Sequence, residues 1–149
     1  MKNKFKISKI QENNIEQFIE LIELLNEVFE EPNRIATEKQ LKKLLKQPGF
    51  HAIVAISEDR IIGGLTAYEL EQYYYDKSEL YIYDIAVKAE LQNQRIGKIL
   101  IDYLKKYSMN NGVQTIFVDA HSEDEQAVKF YESTFGKGEN VEHFNFEIK

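Results

Sequence analysis

The chain has 149 residues, 30 % of them charged and 43 % apolar, with no cysteine and a formal net charge of -6. That length can bury one full core, and that composition gives no basis for disorder. The lack of cysteine excludes a disulfide framework, thiolate metal ligation and a cysteine nucleophile. A pI near 5.2 repels a phosphate backbone and favours a cationic ligand, so nucleic acid is not expected as a partner. No apolar run approaches the roughly 20 residues a membrane helix needs, so no membrane contact is expected. The N-terminal MKNKFKISKI alternates lysine with apolar residues instead of presenting a signal-peptide core. These readings predict a cytoplasmic protein forming a single domain over 1–149.

In chain order, Phe5, Ile7 and Ile10 mark a short strand-like segment. Ile15, Phe18, Ile19, Ile22 and Leu25 then follow helical spacing out to Phe29, with Asn13 and Glu16 resembling a helix start. EEPNRIAT breaks that helix at Pro32, and Thr37 with Gln40 forms a capping-box pattern before Leu41, Leu44 and Leu45. This second, short helix ends near QPG. HAIVAI and RIIGGLTAYEL flank the turn SED and predict a hairpin of buried strands; ELYIYDIAV predicts a further strand. Ile96, Ile99, Leu100, Tyr103, Leu104 and Tyr107 form one stripe of a helix that NNG can terminate. QTIFVDA predicts a strand, and Ser122 with Glu125 opens a helix carrying Ala127, Val128, Phe130 and Tyr131, ended by Gly136 and Gly138. VEHFNFEI alternates as a closing strand. The order β α α β β β α β α β predicts a mixed α/β fold (α+β mixed) with a partly antiparallel sheet.

The segment leading into the long helix carries the first chemical signal. A helix N-terminus offers backbone N–H groups without internal partners and a partial positive charge. Gly97 removes a side chain near its first turn, while Arg95 and Lys98 add positive charge to an acidic protein. The local sequence fits a pyrophosphate seat, and it equally fits an ordinary strand-to-helix connection with solvated basic residues. Asp84 is the second signal: it interrupts the apolar strand YIYDIAV, where a carboxylate needs a cavity or a partner. Such a group is a candidate base, with Tyr83 and Tyr81 as neighbours acting through water, and a hydrogen-bonded carboxylate at a strand bulge is the alternative. Acidic residues recur as Glu69, Glu71, Asp76 and Glu79, as Asp119, Glu123, Asp124 and Glu125, and as Glu139 and Glu142. They supply either a field for a polyamine or an ordinary solvated surface. EQYYYDK is a loop for the substrate side or for an interface. His51, His121 and His143 lack metal spacing, so no metal is expected; His121 at a strand end could shuttle protons.

AVKAELQNQRIGKIL resembles the signature of the Gcn5-related N-acetyltransferases (GNAT), in which Q/R-x-x-G-x-G/A follows a strand ending in an apolar-Ala-Val run. Gln92 and Gly97 match its first and last places, and Arg95 stands where the inner glycine is usual, offering a guanidinium for phosphate. AVKFYESTFG is similar to the family's A-x-x-[LF]-Y-x-x-x-G segment, and the order of elements agrees from end to end. SELYIYDIAV, EDEQAVKFYESTFG and VEHFNFEI resemble segments of the aminoglycoside 3-N-acetyltransferase subgroup, a likeness carried mainly by the C-terminal half.

The resemblance implies a GNAT-like central mixed, largely antiparallel sheet flanked by four helices, with strands splayed at an acetyl-CoA site. It implies acetyl-CoA as co-substrate, held by Ile85, Ala86, Val87, Gln92, Asn93, Gln94, Arg95, Ile96, Gly97 and Lys98, with a backbone N–H near Val87 meeting the developing oxyanion. Direct transfer to an amine would use Asp84 as base, Tyr83 beside it, and Tyr131 as the acid that protonates the departing thiolate. The cationic amine would be met by Tyr83, Asp84, Asp119, His121, Asp124, Glu125 and Glu142. An aminoglycoside is the expected acceptor. Another small amine, such as a polyamine or an amino-acid derivative, is the alternative, and a non-catalytic acyl-CoA-binding module is the rival of a different class. The family is often dimeric, so a homodimer is compatible with the resemblance.

Overall fold

The computed structural model describes residues 4–32 and 34–149; the first three residues of the N-terminal segment and Asn33 of EEPNRIAT lie outside the described residues. Residues Met1–Asp119 hold a five-stranded sheet in the order β1-β2-β3-β4-β5. The strands are β1 (Lys6–Lys9), β2 (Phe50–Ser57), β3 (Arg60–Glu71), β4 (Ser78–Val87) and β5 (Val113–Val118). The first four are antiparallel neighbours, and β5 runs parallel to β4. Helices α1 (Ile15–Phe29), α2 (Glu38–Leu45) and α3 (Ile96–Asn110) belong to the same unit.

Strand alternation sorts the side chains onto two faces. Phe50, Ala52 and Val54 of β2, Tyr68 of β3 and Ala86 of β4 pack with Phe18, Leu21, Leu24 and Leu25 of α1 and Leu41 of α2. His51 of β2 and Glu69 of β3 point to the other face, where Tyr107 of α3 meets both. Each fully buried leucine or isoleucine contributes roughly 1.5–3 kcal/mol of apolar burial. Gly64 lets α1 lie close to the sheet: a Cβ there would stand 2.5 Å from Leu21 Cδ1 and 2.9 Å from the Ile53 carbonyl oxygen. The β2–β3 hairpin turns through Glu58 and Asp59, both at positive φ (50° and 61°), the twist a two-residue connection requires.

Several local expectations are corrected. Asn14, not Asn13, caps α1, its Oδ1 accepting from Gln17 N at 3.1 Å. The Thr37 cap of α2 is present, its Oγ1 accepting from Gln40 N at 3.3 Å. The stripe of α3 is rotated: Ile101 is buried and Tyr103 lies at the surface, because the helix packs over β2 to β5 through Ile96, Leu100, Ile101 and Leu104.

Ala120–Lys149 form a second compact unit whose single helix is α4 (Glu125–Phe135). Its cap is Asp124, which accepts from Ala127 N at 3.1 Å, instead of the expected Ser122. An aspartate one residue before the first helical residue satisfies the orphan donor directly. Gly136 ends the helix at φ 92°. The closing strand expected over VEHFNFEI is absent: residues 137–149 carry no helix or strand, and Val141, Phe144, Phe146 and Ile148 are all strongly exposed. Alternation alone does not make a strand when no neighbouring backbone completes its ladder.

Candidate active site

The site begins with an irregularity in β4. Ile82 faces Ala67 and Asp84 faces Thr66, leaving Tyr83 as one extra residue against β3. A bulge of this kind resets the alternation. Tyr81 pairs with Tyr68 and so lies on the α1 face; after the bulge Asp84 lies on that face as well, instead of sharing the apolar α3 face with Ile82. The ring of Tyr83 stands edge-on to Tyr68 (5.8 Å) and to Tyr81 (6.1 Å), and Tyr81 stacks on Phe117 at 4.9 Å. Tyr83 is 61 % exposed, so this aromatic wall opens to solvent.

Asp84 is partly buried behind it, and its carboxyl is pushed up to about 6, first by burial and second by the charge of Glu31. The bulge named by the structural alternative is present, and no hydrogen bond is among the causes of the shift. Its charge in turn helps raise the phenols of Tyr68 and Tyr81, both of which burial raises first. Tyr81 donates to Asp119 Oδ2 at 3.1 Å, which places a second carboxylate at the rim of the same wall. Glu31 is a residue the sequence reading missed. It follows α1 where Glu30 turns left-handed (φ 55°), its N–H bonding back to the Asn26 carbonyl at 3.1 Å. The signal was present in the lack of any basic residue in the last turn, against the preference of a helix C-terminus for cations.

At the far end of β4 lies the loop into α3. β5 pairs with β4 only as far as Ile82 and Val118, so Tyr83–Val87 run on past the last β5 pair. Lys88 N bonds to the Ile62 carbonyl at 2.9 Å, a single 3-10 turn spans Ala89–Leu91, and Gln92 Nε2 donates to the Val87 carbonyl at 3.1 Å. Asn93 and Arg95 both take positive φ (66° and 68°). Arg95 is the residue before α3 and its side chain makes no cap hydrogen bond, while its carbonyl accepts from Ile99 N at 3.0 Å. The first-turn N–H groups of Ile96, Gly97 and Lys98 therefore lack a side-chain cap, with the exposed Arg95 and Lys98 beside them. This chemistry fits a phosphate-bearing ligand. Ala86, Val87 and Ile96 bury their side chains, so only their backbones can serve such a ligand; Asn93 and Gln94 are exposed and Ile85 is partly buried.

The remaining predicted residues lie in the second unit. Tyr131 of α4 is partly buried, its ring 5.3 Å from Phe130 and 6.2 Å from Phe135. Asp124 uses one carboxylate oxygen as the α4 cap, Glu125 begins the helix, His121 and Glu142 are exposed, and His143 Nε2 lies 2.9 Å from Asn145 Oδ1. Glu69, grouped by sequence with the solvated acids, is turned inward and bonded to His51, Ser78 and Tyr107. The Tyr73–Tyr75 loop joins β3 to the start of β4, the end of that strand opposite the loop into α3. Among the described residues no group of His, Asp and Glu could hold a metal ion, and no helix is long and apolar enough to cross a membrane.

Comparison with known proteins identifies the frame. The family profile "Acetyltransferase (GNAT) family" matches residues 18–136. An aminoglycoside acetyltransferase, meta-AAC0020 from an uncultured soil metagenomic sample, solved with trehalose, is 43 % identical over 97 % of both chains, with a TM-score of 0.93. The same enzyme in complex with sisomicin superposes with a TM-score of 0.94 at 42 % identity, over 97 % of each chain. A second soil-metagenome aminoglycoside acetyltransferase, HMB0005, is 31 % identical over 98 % of this chain and 99 % of its own, with a TM-score of 0.91.

Proposed function

The chain belongs to the GNAT acetyltransferase family, and from that premise we propose that it moves the acetyl group of acetyl-CoA directly onto a primary amine of an aminoglycoside, at the 3-N position. The observation that carries the reading is Asp84: a bulge turns it to an open aromatic wall and its pKa lies near 6, where a carboxylate is ionised at neutral pH yet still basic enough to accept a proton. The similarity to aminoglycoside acetyltransferases across 97 % of both chains supports the acceptor. The family match running from residue 18 to 136 supports reading the 149 residues as one functional domain. A cytoplasmic location and a homodimer, which size measurement in solution would test, complete the proposal.

Acetyl-CoA supplies the thioester. Ile85 to Val87 offer backbone groups along it, and Gln92 to Lys98 receive the pyrophosphate through the first-turn N–H groups and the cations Arg95 and Lys98. An ammonium has no lone pair for attack, so Asp84, directly or through water held by Tyr83, takes one proton. The free nitrogen forms the C–N bond as the C–S bond breaks; Tyr131 donates its hydroxyl proton to the leaving sulfur and regains one from the acylated nitrogen, leaving an amide and a thiol. Asp119, Asp124, Glu125 and Glu142, with His121, supply the field for the other amines of a polycation.

A thiol-release assay over sisomicin, spermidine, a lysine ester and an acceptor-free blank tests the reading. Release with sisomicin alone, acetylation at 3-N by NMR of the product, and loss in Tyr131→Phe are expected. Release with spermidine or the lysine ester but not sisomicin would reassign the acceptor. No release with any amine, despite thermal stabilisation by coenzyme A, would leave a binding module.

A further inference from the structure

Lys9, His51 and Glu69 line up across β1, β2 and β3 on the α3 face, and none of the transfer steps above uses them. Lys9 Nζ lies 3.2 Å from His51 Nδ1, and His51 Nε2 lies 3.1 Å from Glu69 Oε1. Glu69 is held in turn by Ser78 Oγ, donating to Oε2 at 2.7 Å, and by the Tyr107 hydroxyl, donating to Oε1 at 3.0 Å. An ionised carboxylate only accepts, so His51 carries its proton on Nε2 and presents the Nδ1 lone pair to Lys9. The Tyr107 ring closes over the imidazole edge at 4.8 Å. A nucleophile hydrogen-bonded to a base that is itself oriented by a carboxylate is the arrangement that activates serine, cysteine or lysine for attack. His51 is only 2 % exposed, whereas Lys9 is half-buried and remains within reach of a reagent.

We propose that Lys9 is an acylation site, its Nζ attacking thioesters with His51 as proton acceptor and Glu69 as the orienting group. The C–N bond forms as the C–S bond breaks. The Nζ proton passes to His51 Nδ1 and then to the departing thiolate, leaving an amide and a thiol. The groups facing Nζ are His51 from β2 and Glu69 from β3, with Tyr107 of α3 and Glu71 of β3 beyond them. Burial, the largest influence, lowers the Lys9 pKa against the raising effect of Glu69. Burial and the Lys9 charge keep His51 unprotonated against the opposing pull of Glu69.

The test incubates the intact protein at about pH 7.5 with S-acetyl-N-acetylcysteamine, a thioester without a nucleotide, and separately with acetyl-CoA. Acetylation is then quantified at each lysine by mass spectrometry. Lys42, exposed and paired with Glu38, is the internal reference. Lys9 should react faster than Lys42, since a lowered pKa leaves more free amine at this pH, and the ratio should shrink as pH rises. His51→Asn should abolish the excess and leave Lys42 unchanged; if that variant does not fold, the pH dependence in the parent decides. Lys9 reacting no faster than Lys42, or a ratio independent of pH, overturns the proposal. The small thioester needs no coenzyme site, so failure of the acetyl-CoA reading would leave this result standing.

Discussion

Asp84 and Glu69 are carboxylates on neighbouring strands of one sheet, and burial is the largest influence on both. They nevertheless move in opposite directions. Asp84, facing an open wall of tyrosines with the charge of Glu31 nearby, is raised to about 6. Glu69 accepts from Ser78, Tyr107 and His51, and these bonds outweigh burial and hold it below its ordinary value. Burial alone therefore does not determine what an acid in a sheet will do; the supply of donors decides whether it becomes a base for hire or a fixed anion. The first is arranged for proton transfer and the second for holding neighbours in place.

Asp84→Asn breaks the open side of this comparison and should have the largest effect. Removal of a positioned general base lowers kcat/KM for the amine by about 10²–10⁴-fold, measured by thiol release. The parent should show an acidic limb near pH 6, lost in the variant. Stability should move the other way. The folded pKa lies above the unfolded value of 3.8, so the native state binds the extra proton between about pH 4 and 6, and ionisation above that window costs stability. Asp84→Asn should thus unfold at a higher temperature than the parent at pH 8; an unchanged or lower Tm would contradict the assigned environment.

Glu69→Ala breaks the closed side. It leaves His51, Ser78 and Tyr107 without their shared acceptor and Lys9 without its counter-charge, and should cost about 3 kcal/mol in denaturant unfolding. Turnover per folded molecule should change little.

Acid titration sharpens the contrast. The folded pKa of His51 lies below 6.5, so the unfolded chain takes up its proton first, and stability falls as pH drops through 6.5 towards the folded value. Glu69 adds a further loss as pH falls through 4.5 to its own lowered pKa. Asp84 opposes both between about pH 4 and 6. Asp84→Asn should therefore steepen the loss of stability on acidification, and His51→Gln should flatten or invert it; Tm measured against pH in the two variants checks the signs.

Glu31→Gln tests the second contribution to Asp84 and should be smaller. It should shift the acidic limb of kcat/KM to lower pH by less than about one unit, since a partly solvated charge pair is screened.

The order of elements through α4, the β2–β3 hairpin and α3 were legible in the sequence because their signals are local: period-two runs around SED, and apolar residues returning every three or four positions. What was not legible depends on partners distant in the chain. Simple alternation places Asp84 with Ile82 on the apolar face, and only the pairing with Thr66 and Ala67 makes Tyr83 the extra residue. Glu69 reads as one of several surface acids until β2, β4 and α3 bring His51, Ser78 and Tyr107 to it. Tyr131 is singled out only by a motif, whereas Glu31 lies in a helix-breaking segment with no such pattern. VEHFNFEI shows the converse: its period is regular, yet no ladder forms on it.

Arg95 gives the smallest expected change and separates two effects that its position combines. It stands before α3 at φ 68°, a left-handed conformation costing an L residue about 1 kcal/mol, at the place where the family signature has glycine. Glycine takes that conformation without strain but loses more chain entropy on folding, so Arg95→Gly should alter stability by no more than about 1 kcal/mol, in the stabilising direction. The same change removes a guanidinium beside the uncapped N–H groups of Ile96, Gly97 and Lys98 and should weaken coenzyme A by about tenfold in calorimetry. A variant that is both slightly more stable and a poorer coenzyme binder would mean the loop holds a strained cation for its ligand. One that binds coenzyme A as well as the parent would assign the whole seat to the helix backbone.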